Sequence, residues 1–436
     1  MEITLLNIEP VRSQCVNKDF MAGYGWSFNA GTSFRARLIN YVKKKGELLP
    51  IMSLGYIAAI FQEQGHSVNY LTNKVPASDI AFISSSMVDH RNEIEWAKRL
   101  QAAGIKVYFI GIFASYKPEL FLPCCTGVIQ GEPEEACYRI ARGESLEGIV
   151  ESPPVNDLDN LPFPDWDVFP YKDFSYVPAL RDKPFFPILS SRGCAFKCEY
   201  CPYPVFYKYR NRSVDKVIEE IEFLVSKYQM KGMLFRDPLF SGNQEKARMI
   251  SEGILEKGTK IHWACETRLD CINEDLLDLF YRSGCRVINV GIESSNPSIL
   301  GNVNRRLIDP DYQKHMVDYA NKLGIRITAF YVLGLEGETV ESVEKTIKYA
   351  KWLDTYIAQF FVNTSFPGTE EYYRKEDSLI ESDWEKFDCY TPVVHNENIT
   401  SSQLLALKEK AFISYYYRLE YLWTFIKRGL RALLHG

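Results

Sequence analysis

Three cysteines in one short segment, Cys194, Cys198 and Cys201 of SSRGCAFKCEYCPYP, are the residues whose spacing points most directly to chemistry. The CxxxCxxC pattern puts three thiols on one loop. Three thiolates can hold three irons of a [4Fe–4S] cube, leaving the fourth iron without a protein ligand. An iron left open in this way can bind a substrate or a cofactor. A zinc knuckle competes with this reading, but structural zinc usually takes four ligands in paired CxxC spacing, and no fourth Cys or His lies nearby in sequence. The remaining cysteines, Cys15, Cys124, Cys125, Cys137, Cys265, Cys271, Cys285 and Cys389, show no ligand-like spacing beyond one adjacent pair and are expected to be small buried hydrophobes. Cys265 keeps a share in substrate handling if its strand turns it into a barrel interior.

Such a loop needs a scaffold, and the sequence after it supplies one. Strand-like runs FPILSS, GMLFR, IHWACE, RVINVG, IRITAFYVL and IAQFFVN alternate with helical segments, which predicts six parallel βα units curled into a partial barrel, with the cysteines directly after its first strand. The helix following the cysteines is the clearest: Ser213 can cap it, and Val214, Val217, Ile218, Ile221, Leu224, Val225 and Tyr228 keep a 3.6-residue period. Ahead of the cysteines, from residue 3 to about 143, a similar alternation predicts a five-strand doubly wound α/β unit. Its ligand crevice would lie beyond the carboxyl ends of the strands, at Ser84, Ser85 and Ser86, at the loop from Gly111 to Ser115, and at Gly131-Glu132. Pro153, Pro154, Pro162, Pro164 and Pro170 interrupt any regular element over 144–184, so that stretch reads as a linker. Its Trp166, Phe169 and Tyr171 should pack against something rather than stay solvated. The expected division is therefore 1–143, a linker 144–184, a barrel 185–370 and an extension 371–436.

CxxxCxxC with an aromatic residue, Tyr200, just before the last cysteine resembles the signature of the radical S-adenosylmethionine superfamily, and six βα units match that superfamily's partial barrel. The resemblance covers about residues 185 to 370. It implies that S-adenosylmethionine chelates the open iron through its amino and carboxylate groups. One electron would then break the sulfonium bond to give a 5′-deoxyadenosyl radical, which takes hydrogen from an unactivated carbon. An external electron donor such as a flavodoxin or ferredoxin is implied as a partner. Further cofactor contacts are expected at Glu293 in VINVGIES, at Arg268 in CETRLD as a fork for the methionine carboxylate or as a structural ion pair, and at Asp237 in GMLFRDPLF. Asp237 stands where the superfamily has Gly-Gly-Glu, which this sequence lacks. Gly334 and Gly337 in VLGLEGET and Pro367-Gly368 complete the expected cofactor-side loops.

The order of the two halves is similar to the cobalamin-binding branch of this superfamily. That resemblance implies an N-terminal flavodoxin-like, cobalamin-binding sheet, with a corrinoid against Ser84, Ser85, Ser86, Gly111, Gly131 and Glu132 and its upper face toward the cluster. The DxHxxG loop that presents an imidazole to cobalt is missing, and His66 and His90 do not stand in one. The expected chemistry is cobalamin-dependent methyl transfer to a carbon of a small-molecule, sugar or lipid intermediate. The alternative is cobalamin-independent rearrangement, dehydration or ring formation with a vestigial N-terminal half, and a non-catalytic Fe–S redox protein is a remote third.

Composition narrows the classes without choosing among them. The 436 residues are 46% hydrophobic and 25% charged, with a net charge of −5, which gives no global attraction to nucleic acid. MEITLLNIEP lacks the basic start and apolar run of a signal peptide, so a cytoplasmic location is expected, where cysteines serve as thiols or metal ligands. The C-terminal AFISYYYRLEYLWTFIKRGLRALLHG is aromatic, basic and amphipathic. It reads as a helix packed on the barrel or another subunit, or as a contact with an anionic membrane through Arg418, Lys427, Arg428 and Arg431.

Overall fold

In the computed structural model, which describes residues 1–10, 15–44 and 47–423, two parallel six-stranded sheets follow one another along the chain. The first holds β1 (Glu2–Asn7), β2 (Ser67–Thr72), β3 (Ile80–Ser84), β4 (Lys106–Ile110), β5 (Gly127–Gly131) and β6 (Gly148–Ser152), in the order β2-β1-β3-β4-β5-β6. The second holds β7 (Phe185–Ile188), β8 (Gly232–Phe235), β9 (His262–Thr267), β10 (Cys285–Glu293), β11 (Arg326–Leu333) and β12 (Ile357–Val362), in sequence order. Neighbouring strands are parallel throughout both sheets. Their central runs, such as VYFI and VINV, are almost wholly buried, as expected for strands covered on both faces.

The helices are α1 (Phe34–Lys44), α2 (Met52–Glu63), α3 (His90–Ala102) and α4 (Glu134–Ala141) in the first half. The second half adds α5 (Val214–Tyr228), α6 (Gln244–Glu256), α7 (Glu274–Arg282), α8 (Pro310–Leu323) and α9 (Val340–Leu353), followed by α10 (Ser401–Tyr416). Ser213 caps α5 by accepting from the Lys216 amide at 3.2 Å, and the apolar positions of its 3.6-residue period face the sheet.

Two expectations about the region before the barrel, a five-strand sheet and a linker without regular elements over 144–184, need correction. The first sheet has six strands rather than five, because β6 lies inside the stretch read as linker. GIVES is a short edge strand with Ile149 and Glu151 exposed, so it lacks the continuous apolar run of its neighbours. The rest of that stretch is packed. Trp166 is fully buried, edge-on to Phe169 and Phe174, and its ring lies close enough to Gly55 of α2 that a β-carbon there would collide with it.

The segment between β1 and α2 leaves its own sheet. Phe20 lies edge-on to Phe330 of β11 and tilted on Phe361 of β12, while Trp26 meets Tyr390. At the other end of the chain α10 packs across the barrel, where the Tyr416 hydroxyl donates to the Ala358 carbonyl at 2.8 Å. Arg418 is used in that packing, donating to the Lys351 carbonyl at 2.8 Å and pairing with Asp354, rather than offered to a membrane. Lys427, Arg428 and Arg431 lie outside the described residues. Among the described residues no helix is long and apolar enough to cross a membrane.

Candidate cluster and S-adenosylmethionine site

The loop after β7 is fixed from both sides before it reaches its cysteines. Asp237, at the tip of β8, accepts from the Ser190 amide at 2.9 Å and from the Ser190 and Ser191 hydroxyls at 2.7 and 2.5 Å. Ser191-Arg192 then pairs antiparallel with Arg210-Asn211, closing the loop at its base. Gly193 adopts φ +74, and a β-carbon there would run into the Tyr207 carbonyl, so the residue before Cys194 has to be glycine.

Cys194, Cys198 and Cys201 all line one cleft of about 1140 Å³, and all are free thiols. Burial pushes the Cys194 and Cys201 thiols up, and each is raised further by its neighbouring cysteines. These thiols stay protonated until a cation enters, which is the behaviour of a metal site whose ligands lose protons on binding. Among the described residues no three His, Cys, Asp or Glu side chains converge on one ion. A cube does not require that, since each thiolate takes a different iron. One cation is already at hand: Arg305 approaches Cys198 Sγ at 3.8 Å and the Tyr200 hydroxyl at 3.3 Å, and pairs with Glu293 at 3.1 Å. Three thiols on one loop beside a guanidinium fit an anionic three-cysteine cluster.

The same cleft has polar groups that no protein atom satisfies. Arg268 Nη1 and Asn289 Oδ1 are buried without partners, and both residues line the cleft together with Glu266 and Glu293. Buried polar groups without partners are costly, so a donor and an acceptor left open in one cleft fit an amino acid such as the methionine part of S-adenosylmethionine. The opposite wall is apolar, formed by Phe20, Met21, Phe330 and Phe361.

Several sequence nominations take other places. The Arg268 fork is filled by Asp270, with Nε and Nη2 both at 2.9 Å from its carboxylate, so the structural ion pair is the reading that holds and only Nη1 remains open. Asp237 is fully buried under the loop and does not line the cleft. Gly334 belongs to a separate polar cavity on the far side of Asn363, against Leu404. Cys265 is turned away from the lumen toward Cys285, while its neighbour Glu266 faces inward. Tyr200 and Glu293 do line the cleft, the latter at φ +66. Arg305, Asn289, Phe20, Met21 and Cys389 line it too and were not nominated. Cys389 carried a visible signal only as a cysteine, and the others carried none in their spacing.

The residues nominated for cobalamin lie at the carboxyl ends of β3, β4 and β5, where several of them are engaged within the protein. Ser85 is buried and its hydroxyl accepts from the Ala114 amide at 2.9 Å. Ser86 gives its amide and hydroxyl to Glu93, which Lys18 also binds. Gly111 lies against Ser84 and Ser85, and the Gly131 amide donates to Ser115 Oγ at 3.1 Å. Glu132 is held by Arg192 at 2.8 Å and by Arg210, while Arg192 also reaches Glu134, so ion pairs cross the junction of the two sheets. A pocket remains there, lined by Glu132, Glu134, Arg192, Tyr203 and Tyr207. His66 and His90 are engaged with the Ala141 and Met87 carbonyls.

Residues 188–350 match the family model described as the radical SAM superfamily. An uncharacterized methyltransferase of Pyrococcus horikoshii is 31% identical over 435 residues, an alignment spanning 88% of this chain and 93% of that protein. An anaerobic magnesium-protoporphyrin IX monomethyl ester cyclase of Rubrivivax gelatinosus is 27% identical over 64% of this chain, which spans about half (53%) of the cyclase. Among solved structures, the radical S-adenosylmethionine methyltransferase TsrM from Kitasatospora setae, with cobalamin and a [4Fe–4S] cluster bound, has a TM-score of 0.62 at 15% identity, covering 86% of this chain and 74% of that one. With its three-thiol cleft, its sequential parallel barrel and a relative alike over nearly its whole length, the chain belongs to the radical S-adenosylmethionine superfamily of enzymes.

Proposed function

We propose that the chain is a radical C-methyltransferase acting on a small molecule held in the cleft, with its cluster on Cys194, Cys198 and Cys201. The observation that carries the reading is the cleft itself, which puts three thiols, an open guanidinium nitrogen and an aromatic wall around one space. Methyl transfer rests on the relatives named methyltransferases. When bound, the cluster and S-adenosylmethionine supply one electron and the radical that activates the substrate carbon, and a second S-adenosylmethionine supplies the methyl group. The chain's own residues hold and shield. Arg305 offsets the charge of the thiolates, Arg268 and Asn289 offer a donor and an acceptor, and Phe20, Phe330 and Phe361 keep water from the reacting carbon. A flavodoxin- or ferredoxin-like donor supplies two electrons per turnover, one to cleave the first S-adenosylmethionine and one to close the bond between the carbon radical and the transferred methyl cation.

The test is the product pair from reduced, anaerobically reconstituted protein given S-adenosylmethionine and extracts of small molecules. Methylation yields 5′-deoxyadenosine and S-adenosylhomocysteine in step. 5′-Deoxyadenosine without S-adenosylhomocysteine favours the second reading, radical ring formation or rearrangement, for which the cyclase relative speaks. Delivery of the methyl group by cobalamin between the sheets is the finer form of the first reading. It draws support from the cobalamin-bound neighbour and from the strand order β2-β1-β3-β4-β5, which in doubly wound sheets places ligands at the carboxyl edge. Glu132 of the nominated residues lines the pocket between the sheets, and the test is corrinoid absorbance after exposure to hydroxocobalamin and gel filtration.

A further inference from the structure

Helix α1 is built inside out. Of its apolar side chains only Ala36 is buried, while Phe34 is 84% exposed, Leu38 49%, Tyr41 57% and Val42 61%. At roughly 100° per residue these four fall within about 100° of one another, forming a single apolar stripe along the helix. On the same wheel Arg35 stands at one margin of the stripe, and Arg37 and Lys44 stand at the other. The helix has no acid of its own; Lys43 is paired with Glu47, and Glu409 of α10 accepts from the Thr32 and Ser33 amides at the helix start.

The far end of the described chain lies beside this helix, where the Tyr417 hydroxyl donates to the Arg35 carbonyl at 3.1 Å. There Leu419 is 83% and Trp423 60% exposed. Large exposed apolar patches mark interaction sites, and an apolar stripe edged by cations matches a bilayer surface, into which the stripe sinks while the cations meet the phosphates.

We propose that α1, with its apolar stripe, the cations at its margins and the segment 417–423 beside it, docks the protein on an anionic lipid bilayer. The charge decides among occupants. The chain as a whole carries −5, yet this face is basic, so a second copy meeting it across a two-fold axis would set cation against cation.

The test uses the full-length, cluster-reconstituted protein and sedimentation with vesicles of phosphatidylcholine mixed with phosphatidylglycerol, beside vesicles of phosphatidylcholine alone. The wild type sediments with the anionic vesicles and is released by salt. Phe34→Asp with Leu38→Asp, and separately Arg37→Glu with Lys44→Glu, each weaken this by about tenfold or more while 5′-deoxyadenosine release in solution is unchanged. A wild type that stays in the supernatant overturns the proposal, as does sedimentation that neither variant pair weakens. A dimer in light scattering that Phe34→Asp dissociates would assign the stripe to a second copy and overturn it as well.

Discussion

Both sheets end, at the carboxyl ends of their strands, in loops of small and charged residues, and the two sets of loops face one another. At the first sheet three of the groups nominated as ligand contacts are already engaged: Ser85 with Ala114, Ser86 with Glu93, and Glu132 with Arg192 and Arg210. At the second sheet a cleft remains, with Arg268 Nη1 and Asn289 Oδ1 left open and three thiols, of which Cys194 and Cys201 are pushed up by burial. Position at the end of a parallel strand is therefore not enough to make a site. Open polar groups and space distinguish the two, and a satisfied loop serves as a joint.

The joint is where the comparison breaks most readily. Glu132→Ala leaves Arg192 and Arg210 without their shared carboxylate, and losing one partner of a buried pair costs about 3–5 kcal/mol. Urea denaturation should show this loss with iron binding retained. An unchanged midpoint would mean that the ion pairs do not hold the sheets together.

A second prediction sharpens the contrast between acids that have a cation and one that has none. Glu338 contacts the Gly334 amide at 2.6 Å and the Ser294 hydroxyl at 3.2 Å, and burial pushes its carboxyl up to about 7. In the unfolded chain it ionises near its ordinary value of 4.5. The folded state thus keeps the proton longer, and stability falls as pH rises from about 4.5 to about 7, by about 3 kcal/mol in all at roughly 1.4 kcal/mol per unit. Glu338→Gln should flatten that part of the stability–pH curve. A slope that survives in the variant assigns it to another group.

The smallest expected effect concerns the guanidinium beside the thiols. Arg305→Met removes the positive charge 3.8 Å from Cys198 Sγ, and residues that support ligands in this way change metal retention by roughly tenfold or somewhat more. Iron lost to a chelator over time should rise in the variant. Equal loss would leave Arg305 as a partner of Glu293, Tyr200 and Gly291 alone.

What could be read from the sequence was what depends on short stretches. The cluster ligands lie within eight residues of one another, Ser213 caps the helix it was expected to cap, and the six barrel strands announce themselves as apolar runs. What could not be read depends on distant partners. β6 is an edge strand whose alternating GIVES shows no long apolar run. Asp237 stands at a strand tip but turns under the loop because Ser190 and Ser191 meet it there. Arg268 has Asp270 two residues away, which is visible in sequence, though the fork geometry that fills it is not. Phe20 and Arg305 come to the cleft from segments 174 residues before Cys194 and 104 after Cys201, by subtraction of their positions, and no spacing rule connects them to it.

The most direct test of the central claim is anaerobic reconstitution with iron and sulfide, followed by reduction in the presence of S-adenosylmethionine. The account predicts about four irons per chain, the stoichiometry of one cube, with release of 5′-deoxyadenosine and methionine, and Cys198→Ala should abolish both the iron and the release. Zinc as the sole metal, or iron and 5′-deoxyadenosine unchanged in Cys198→Ala, would contradict it.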